Sequence, residues 1–185
     1  MKTEKRRLIL RVIAKLMMAG FVIALVYVFM RSLPGPGQQS NIASVDLSTM
    51  QAGQLLRYEW SGKRLFILKR EALDQAKWHT LSSALLDPDS RHSRQPPAAE
   101  NSWRSLQPEY FVALDYGTDL NCGVSYLSEH QQGPAAQAWL GGFKDLCRGS
   151  WYDLSGRVYK HQRAKRNLTV PAHRIEGQTL LLGLQ

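Results

Sequence analysis

The sequence predicts a mainly β protein, an antiparallel β-sandwich domain with one inserted helix, tethered to a single N-terminal transmembrane helix. Three observations predict it. An uncharged apolar run from Leu16 to Met30 follows a basic N-terminus. Beyond Val45, short apolar runs are closed by turn residues, as strands are. Between Glu71 and Leu86 the apolar residues Leu73, Ala76, Leu81 and Leu85 recur instead at helical spacing.

At 185 residues with 44% hydrophobic content, the chain has room for one anchor and one domain of roughly 140 residues, and a second full domain is not expected. The formal charge of +9 is unevenly placed. Lys2, Lys5, Arg6, Arg7, Arg11 and Lys15 all precede the apolar run, opposed by Glu4 alone. Much of the basic excess is therefore topological. A nucleic-acid partner would need that charge as a patch on the folded domain, so none is expected.

Taken in order, residues 1–11 are the basic N-terminus and residues 12–31 the transmembrane helix. The apolar run reaches back to Val12 if Lys15 lays its stem along the lipid and returns its amine to the headgroups. That gives about 19 residues against the ~20 that span a bilayer core. A cleaved signal peptide is the competing reading, but Arg31 and Pro34 follow Met30 where a small-residue cleavage site would stand. Positive charge before the helix keeps that end cytoplasmic and, in a bacterial inner membrane, leaves the rest of the chain in the periplasm. The stretch from Lys5 to Arg11 also resembles a twin-arginine export signal. Arg6, Arg7 and Leu10 fit its pattern while Lys5 and Ile9 depart, and an ordinary basic flank of a membrane helix reads the same way.

Residues 32–44 contain Pro34-Gly35-Pro36-Gly37, cannot run as a helix, and are expected to be a flexible linker. The domain proper spans 45–185. Val45-Asp46-Leu47 reads as a strand, and Gln54 to Trp60 pairs with Arg64 to Lys69 across the turn Ser61-Gly62. The helical stretch Glu71 to Leu86 is stopped by Asp87-Pro88. From Asp87 to Ser105 the chain is polar, includes Gln95-Pro96-Pro97, and should be surface loop with little to bury. Phe111 to Leu114 is a buried strand. Arg157 to Lys160 and Leu168 to Val170 read as strands, and Ile175 to Leu184 as a hairpin around Glu176-Gly177. Cys122 and Cys147 lie in the exported part, where an oxidising compartment makes them a disulfide candidate; two separate buried thiols are the alternative.

The chain is organised around the stretch from Trp139 to Tyr159. Trp139-Leu140-Gly141-Gly142-Phe143 leads to Asp145-Leu146-Cys147-Arg148-Gly149-Ser150, then Trp151-Tyr152-Asp153, Gly156 and Arg157. Here the sequence resembles the second cluster box of Rieske iron–sulfur proteins, C-P-C-H-G-S after a tryptophan-glycine strand and before an aromatic, Asp, Gly and Arg. The resemblance extends to Gly53-Gln54 with Trp60-Ser61-Gly62-Lys63. It also covers the connecting segment, Leu86-Asp87-Pro88-Asp89-Ser90, Gln95-Pro96, Asn101, Arg104-Ser105 and Pro108-Glu109. It is of the type found in ubiquinol–cytochrome c reductase iron–sulfur subunits, and it implies a Rieske-like sandwich over the whole domain.

Rieske clusters take two thiolates on one iron and two imidazoles on the other. The family's first box, C-T-H-L-G-C, reads here Gly117-Thr118-Asp119-Leu120-Asn121-Cys122. The ligand cysteines therefore fall on Gly117 and Asp145, and the ligand histidines on Asp119 and Arg148. Glycine has no donor atom, arginine stays protonated, and aspartate is a hard ligand ill suited to an iron–sulfide core. The 2Fe–2S cofactor that the family implies is accordingly predicted absent. By the same register Cys122 and Cys147 fall on the family's loop-clamping disulfide, and Ser150 and Tyr152 on residues whose hydroxyls bond the cluster sulfurs. Arg148 is expected to fold into the vacated volume and pair with Asp119 or Asp145, with Ser150 and Tyr152 completing the hydrogen bonds. Side chains pointing to solvent at an exposed tip are the alternative.

After Lys160 the family carries a proline-rich loop over the cluster, whereas this chain has His161-Gln162-Arg163-Ala164-Lys165-Arg166. Lys160, Arg163, Lys165 and Arg166 make a basic loop, either a docking surface for an acidic partner or a solvated charge run. Leu120 falls where the family's leucine meets cytochrome b, and is either a docking residue or core. His130, His161 and His173 lack metal-ligand spacing, and neither a Ser/His/Asp pattern nor a phosphate-binding glycine motif occurs, so no catalytic or metal residue is assigned. The partners implied by the resemblance are the membrane and the cytochrome b and cytochrome c-type subunits of a respiratory complex. Three functions follow: a non-redox structural, assembly or regulatory subunit; a working electron-transfer subunit; or a periplasmic binding module using residues 160–166.

Overall fold

The computed structural model describes residues 2–32, 42–71, 75–134 and 139–183, and the chain divides into two compact units, Met1–Gln39 and Ser40–Gln185. The first unit is helix α1 (Lys2–Ser32). It is long and apolar enough to cross a membrane, and Phe21, Val22, Ile23 and Leu25 stand exposed on it. An apolar helix with no core to enter has lipid as its natural surrounding. Most of the expected linker, residues 33–41, lies outside the described residues.

The second unit runs β1 (Ala43–Asp46), β2 (Leu55–Trp60), β3 (Lys63–Lys69), α2 (Gln75–Thr80), β4 (Tyr110–Leu114), β5 (Val124–Leu127), β6 (Gly142–Asp145), β7 (Trp151–Asp153), β8 (His173–Glu176) and β9 (Thr179–Leu182). Among the described residues these strands form three antiparallel sheets, ordered β1-β9-β8, β2-β3-β4 and β5-β6-β7. The turn between β2 and β3 is two residues long, with Ser61 at φ +50° and Gly62 at +70°. Two left-handed residues match the twist of the strands they join.

Strand β3 explains the layering. Leu65-Phe66-Ile67-Leu68 is apolar without alternation and wholly buried, because each face of its sheet meets a different core. Leu65 and Ile67 pack with Val45, Leu47, Val112, Leu180 and Leu182, while Phe66 and Leu68 pack with Phe111, Val124, Phe143 and Tyr152. The middle sheet is thus shared by two sandwiches. Phe66 stacks on Phe143 with ring centroids 4.5 Å apart. Truncating either ring would cost about 3–5 kcal/mol.

Three expectations are corrected. The described helix is Gln75–Thr80, continued by a 3-10 turn over Leu81–Ala84, and Leu85 is already extended. Leu85 bridges Tyr159 and the Leu86 N–H donates to Val158 O at 2.9 Å, so cross-chain pairing ends the helix before Leu86. Residues 72–74 of the expected helix lie outside the described residues. Second, 157–160 and 168–170 are not ladder strands. They make isolated bridges and single bonds, such as Leu168 N–H to Gly156 O at 2.7 Å and Leu114 N–H to Thr169 O at 2.9 Å. Backbone groups satisfied one at a time need no sheet.

Third, the polar segment 87–105 is irregular but not superficial. Arg104 is fully buried, and Asp87, Ser90, Ala99 and Ser105 are buried with it. Arg104 donates from Nη1 to Ser155 O at 3.0 Å, from Nη2 to Leu168 O at 2.7 Å and from Nε to Gln95 Oε1 at 2.9 Å. Beside it, Arg70 donates to the carbonyls of Pro108 (2.6 Å), Trp103 (2.7 Å) and Leu154 (3.1 Å). Burial pushes Arg70 down to about 9 and Arg104 to about 10, with the Asp153 charge opposing, so both stay cationic at neutral pH. Carbonyl dipoles hold these charges where carboxylates are few.

Candidate functional site at the disulfide-clamped tip

Two loops meet at one end of the β5-β6-β7 sheet, residues 116–123 ahead of β5 and residues 146–150 between β6 and β7. The first is closed by Gly117 N–H to Cys122 O at 2.7 Å, the second by Asp145 N–H to Ser150 O at 2.8 Å and Gly149 N–H to Asp145 O at 3.0 Å. Leu146 N–H donates to Gly123 O at 3.0 Å, and Cys122 and Cys147 are disulfide-bonded with α-carbons 6.0 Å apart. The pairing expected of an exported chain is therefore made. Cys147 is exposed and Cys122 partly so.

Gly117 and Asp145 meet inside the clamp, both buried. A β-carbon placed on Gly117 would collide with Asp145 Oδ2, so the carboxylate occupies the space a side chain at 117 would need. Asp145 Oδ1 accepts the N–H groups of Cys147 at 2.9 Å and Arg148 at 2.7 Å, which fixes the turn. Oδ2 is buried and has no hydrogen-bond partner.

Arg148 Nε lies 3.6 Å from Asp119 Oδ2, with the two side chains 44% and 24% exposed. The pair is an ion contact longer than a hydrogen bond and partly wet, worth about 0–1 kcal/mol. Arg148 does not fill a buried volume, and Ser150 and Tyr152 do not bond it. Ser150 Oγ accepts Ala164 N–H at 3.1 Å, while Tyr152 OH accepts Thr118 N–H at 3.1 Å. Both hydroxyls tie the tip to its own backbone. Burial pushes the Tyr152 phenol up, helped by Asp145 and Asp119 and opposed by Thr118, so it stays neutral.

Thr118 is the tip residue that sequence reasoning passed over. Its Oγ1 donates to Arg166 O at 2.5 Å and its N–H reaches Tyr152, joining two loops to β7. The signal was present, since Thr118, Leu120 and Cys122 are the positions of the first box that keep the family's residue. Leu120 is exposed and so not core, and Leu146, also unforeseen, is exposed in the opposite loop.

The basic loop is anchored, not free. Lys160 Nζ donates to Ser83 O at 2.6 Å, and Lys165 Nζ to Gln162 O at 3.0 Å. Ala164 is buried, and Asn167 accepts Val158 N–H at 2.9 Å while donating to Asp87 O at 2.9 Å. Arg163, Lys165 and Arg166 project outward. Arg166 and Arg94 flank a cleft of about 160 Å³ that Thr118 and Asn121 also line.

No model of a protein family matches the chain. Individual proteins do. The ubiquinol-cytochrome c reductase iron-sulfur subunit of Allochromatium vinosum is 36% identical over 139 residues, covering 75% of this chain and 67% of that protein. That of Blastochloris viridis is 33% identical over 136 residues, covering 73% and 66%. The mitochondrial cytochrome b-c1 complex subunit Rieske of Schizosaccharomyces pombe is 33% identical over 144 residues, covering 76% and 54%. The chain thus spans between about half and two thirds of these relatives' length. A chain of a hyperthermophilic respiratory Complex III superposes with a TM-score of 0.49 at 20% identity, over 91% of this chain and 96% of that one.

An apolar N-terminal helix and a domain of small antiparallel sheets with a disulfide-clamped tip define the class. The chain belongs to the Rieske iron–sulfur subunit family of ubiquinol–cytochrome c reductases. The 2Fe–2S group that the family name implies does not fit the residues at the tip. Gly117 offers no donor, the Asp145 carboxylate lies in the adjoining space, and Arg148 brings a cation where an imidazole would be required.

Proposed function

We propose that this chain is a membrane-anchored Rieske-fold subunit of a cytochrome bc-type quinol–cytochrome c oxidoreductase that carries no 2Fe–2S cluster and serves the complex in a structural, assembly or regulatory role. The observation that carries this reading is the contact of the Asp145 carboxylate with Gly117. The two positions that should bring thiolates bring a hydrogen and a hard oxygen, packed against each other. Gly117, Asp119, Asp145 and Arg148 are on this reading former ligand positions, and Ser150 and Tyr152 former supports of the cluster sulfurs.

Residues 1–11 lie in the cytoplasm and 12–31 in the bacterial inner membrane; the tether expected at 32–44 is narrowed to the stretch between α1 and β1, since Ser32 belongs to the helix and Ala43 and Ser44 pair with β9, and the domain from β1 onward is periplasmic. The basic flank of α1 supports this orientation, and Arg6-Arg7 fits a twin-arginine signal and an ordinary basic membrane flank alike. Cytochrome b and cytochrome c-type subunits are the partners, with exposed Leu120 and the outward cations Arg163, Lys165 and Arg166 as surfaces for docking.

The test is purification of the tagged native protein from membranes, with iron analysis, haem spectra and low-temperature EPR on one sample. The expected result is b- and c-type haem without a Rieske signal beyond that of an ordinary subunit. A Rieske signal from this chain alone overturns the cluster-free reading. Neither iron nor haem overturns membership of the complex and leaves the basic loop 160–166 as a separate binding module.

A further inference from the structure

The clamp holds a second set of donors, which shares only Asp145 with the four former cluster positions. The Sγ atoms of Cys122 and Cys147 and one carboxylate oxygen of Asp145 all lie within 4.8 Å of one another. Asp145 is 2% exposed, and Oδ2 is left without a hydrogen-bond partner. A buried carboxylate oxygen lacking a donor is costly and calls for a reason. Oδ1 is fixed by two backbone N–H groups, the way outer-shell donors orient a metal-binding carboxylate.

We propose that, once the Cys122–Cys147 bond is reduced, Cys122, Cys147 and Asp145 form a site for a thiophilic divalent cation of the Zn²⁺ kind, for which the disulfide acts as a lock. A protein dithiol supplies the two electrons and two hydrogens. Its thiolate attacks one sulfur, the S–S bond breaks through a mixed disulfide, and the donor leaves oxidised to its own disulfide while both cysteines become thiols. The entering cation displaces the two thiol protons to solvent. Two thiolates and a carboxylate around Zn²⁺ require sulfur–oxygen separations of about 3.6 Å, given metal–ligand lengths of about 2.3 and 2.1 Å. The α-carbons, 6.0 Å apart, already bring both cysteine side chains to one point. Exposed Cys147 gives entry from solvent, and water completes the fourth position. Nothing in this requires membership of a particular complex.

The experiment uses the full chain in detergent, reduced with a water-soluble phosphine, desalted without oxygen and titrated with Co²⁺, then Zn²⁺. The reduced chain takes up one Co²⁺ with thiolate-to-cobalt charge-transfer absorption that Zn²⁺ abolishes, and the oxidised chain takes up none. Asp145→Asn weakens Co²⁺ binding at least tenfold, and Asp145→His restores it. Near-ultraviolet circular dichroism of the aromatic core shows in each case that the fold persists. A folded, reduced chain without charge-transfer absorption overturns the proposal. So does Asp145→Asn binding as tightly as the parent, the outcome expected if the thiols bind from unfolded loops. Should Asp145→Asn not fold, Cys122→Ser serves instead, and unaltered Co²⁺ binding by it is equally fatal.

Discussion

Arg157 places Nε and Nη2 each 2.7 Å from one oxygen of Asp153, four residues before it, with both side chains sealed from solvent. The other oxygen accepts the N–H groups of Ser155 at 2.9 Å and Arg157 at 2.8 Å. The indole of Trp78 covers the guanidinium, 4.4 Å from its carbon to the ring centroid. Asp153→Ala leaves a buried cation with no counter-charge in contact. It should cost about 3–5 kcal/mol in urea unfolding followed by tryptophan fluorescence. A loss below about 1 kcal/mol would contradict the buried pairing.

Gly117→Ala forces a β-carbon onto the Asp145 carboxylate and should destabilise by about 1–3 kcal/mol. In an Asp145→Ala background the collision is gone, so the same change should cost much less. A double-mutant cycle reads this directly, with a coupling of about 0.5–3 kcal/mol expected. Additive effects would mean that the two positions do not touch.

The disulfide closes a loop over a sequence separation of 25. Chain entropy puts its removal at about 3.5 kcal/mol. Thermal denaturation of the Cys122→Ala, Cys147→Ala double variant should show that loss, and a phosphine reductant should lower the melting point of the parent but not of the variant.

His173 should make stability fall with acid. Its Nδ1 donates to Pro171 O at 2.8 Å, which leaves Nε2 unprotonated, buried and without a partner. Burial lowers its pKa below 6.5, with the Pro171 bond opposing. The unfolded chain therefore takes up this proton first. The contribution is complete above pH 6.5 and is lost as pH falls from there through the folded value. Urea midpoints from pH 7.5 to 5 should slope less in His173→Gln than in the parent.

Arg148→Gln, by contrast, should change stability by less than about 1 kcal/mol, because the contact with Asp119 is partly wet. Salt should screen what little there is.

What the sequence made legible was local. The β2–β3 hairpin rests on Ser61-Gly62 and the β8–β9 hairpin on Gly177-Gln178, one residue beyond the expected Glu176-Gly177, signals that need no distant partner. The run Phe111 to Leu114 marked the buried strand β4, and the two cysteines marked the clamp. Arg104 was illegible because its acceptors at Ser155 and Leu168 lie 51 and 64 residues away, and an arginine in a polar segment otherwise reads as solvated. The segments at 157–160 and 168–170 carry strand-like residues but find single acceptors in place of a neighbouring strand. At the tip, residue identity defined the donors, while the directions of Ser150 and Tyr152 depended on Ala164 and Thr118 in other loops.

Arg70 and Arg104 have a last consequence. Among the described residues their side-chain hydrogen bonds end on residues 95, 103, 108, 154, 155, 156 and 168, and on none in the loops that carry Gly117, Asp119, Asp145 and Arg148. The keystones of the domain therefore stand apart from its working end. A frame locked from below is indifferent to what its summit carries. The same scaffold can exchange the chemistry of the tip without rebuilding its foundations.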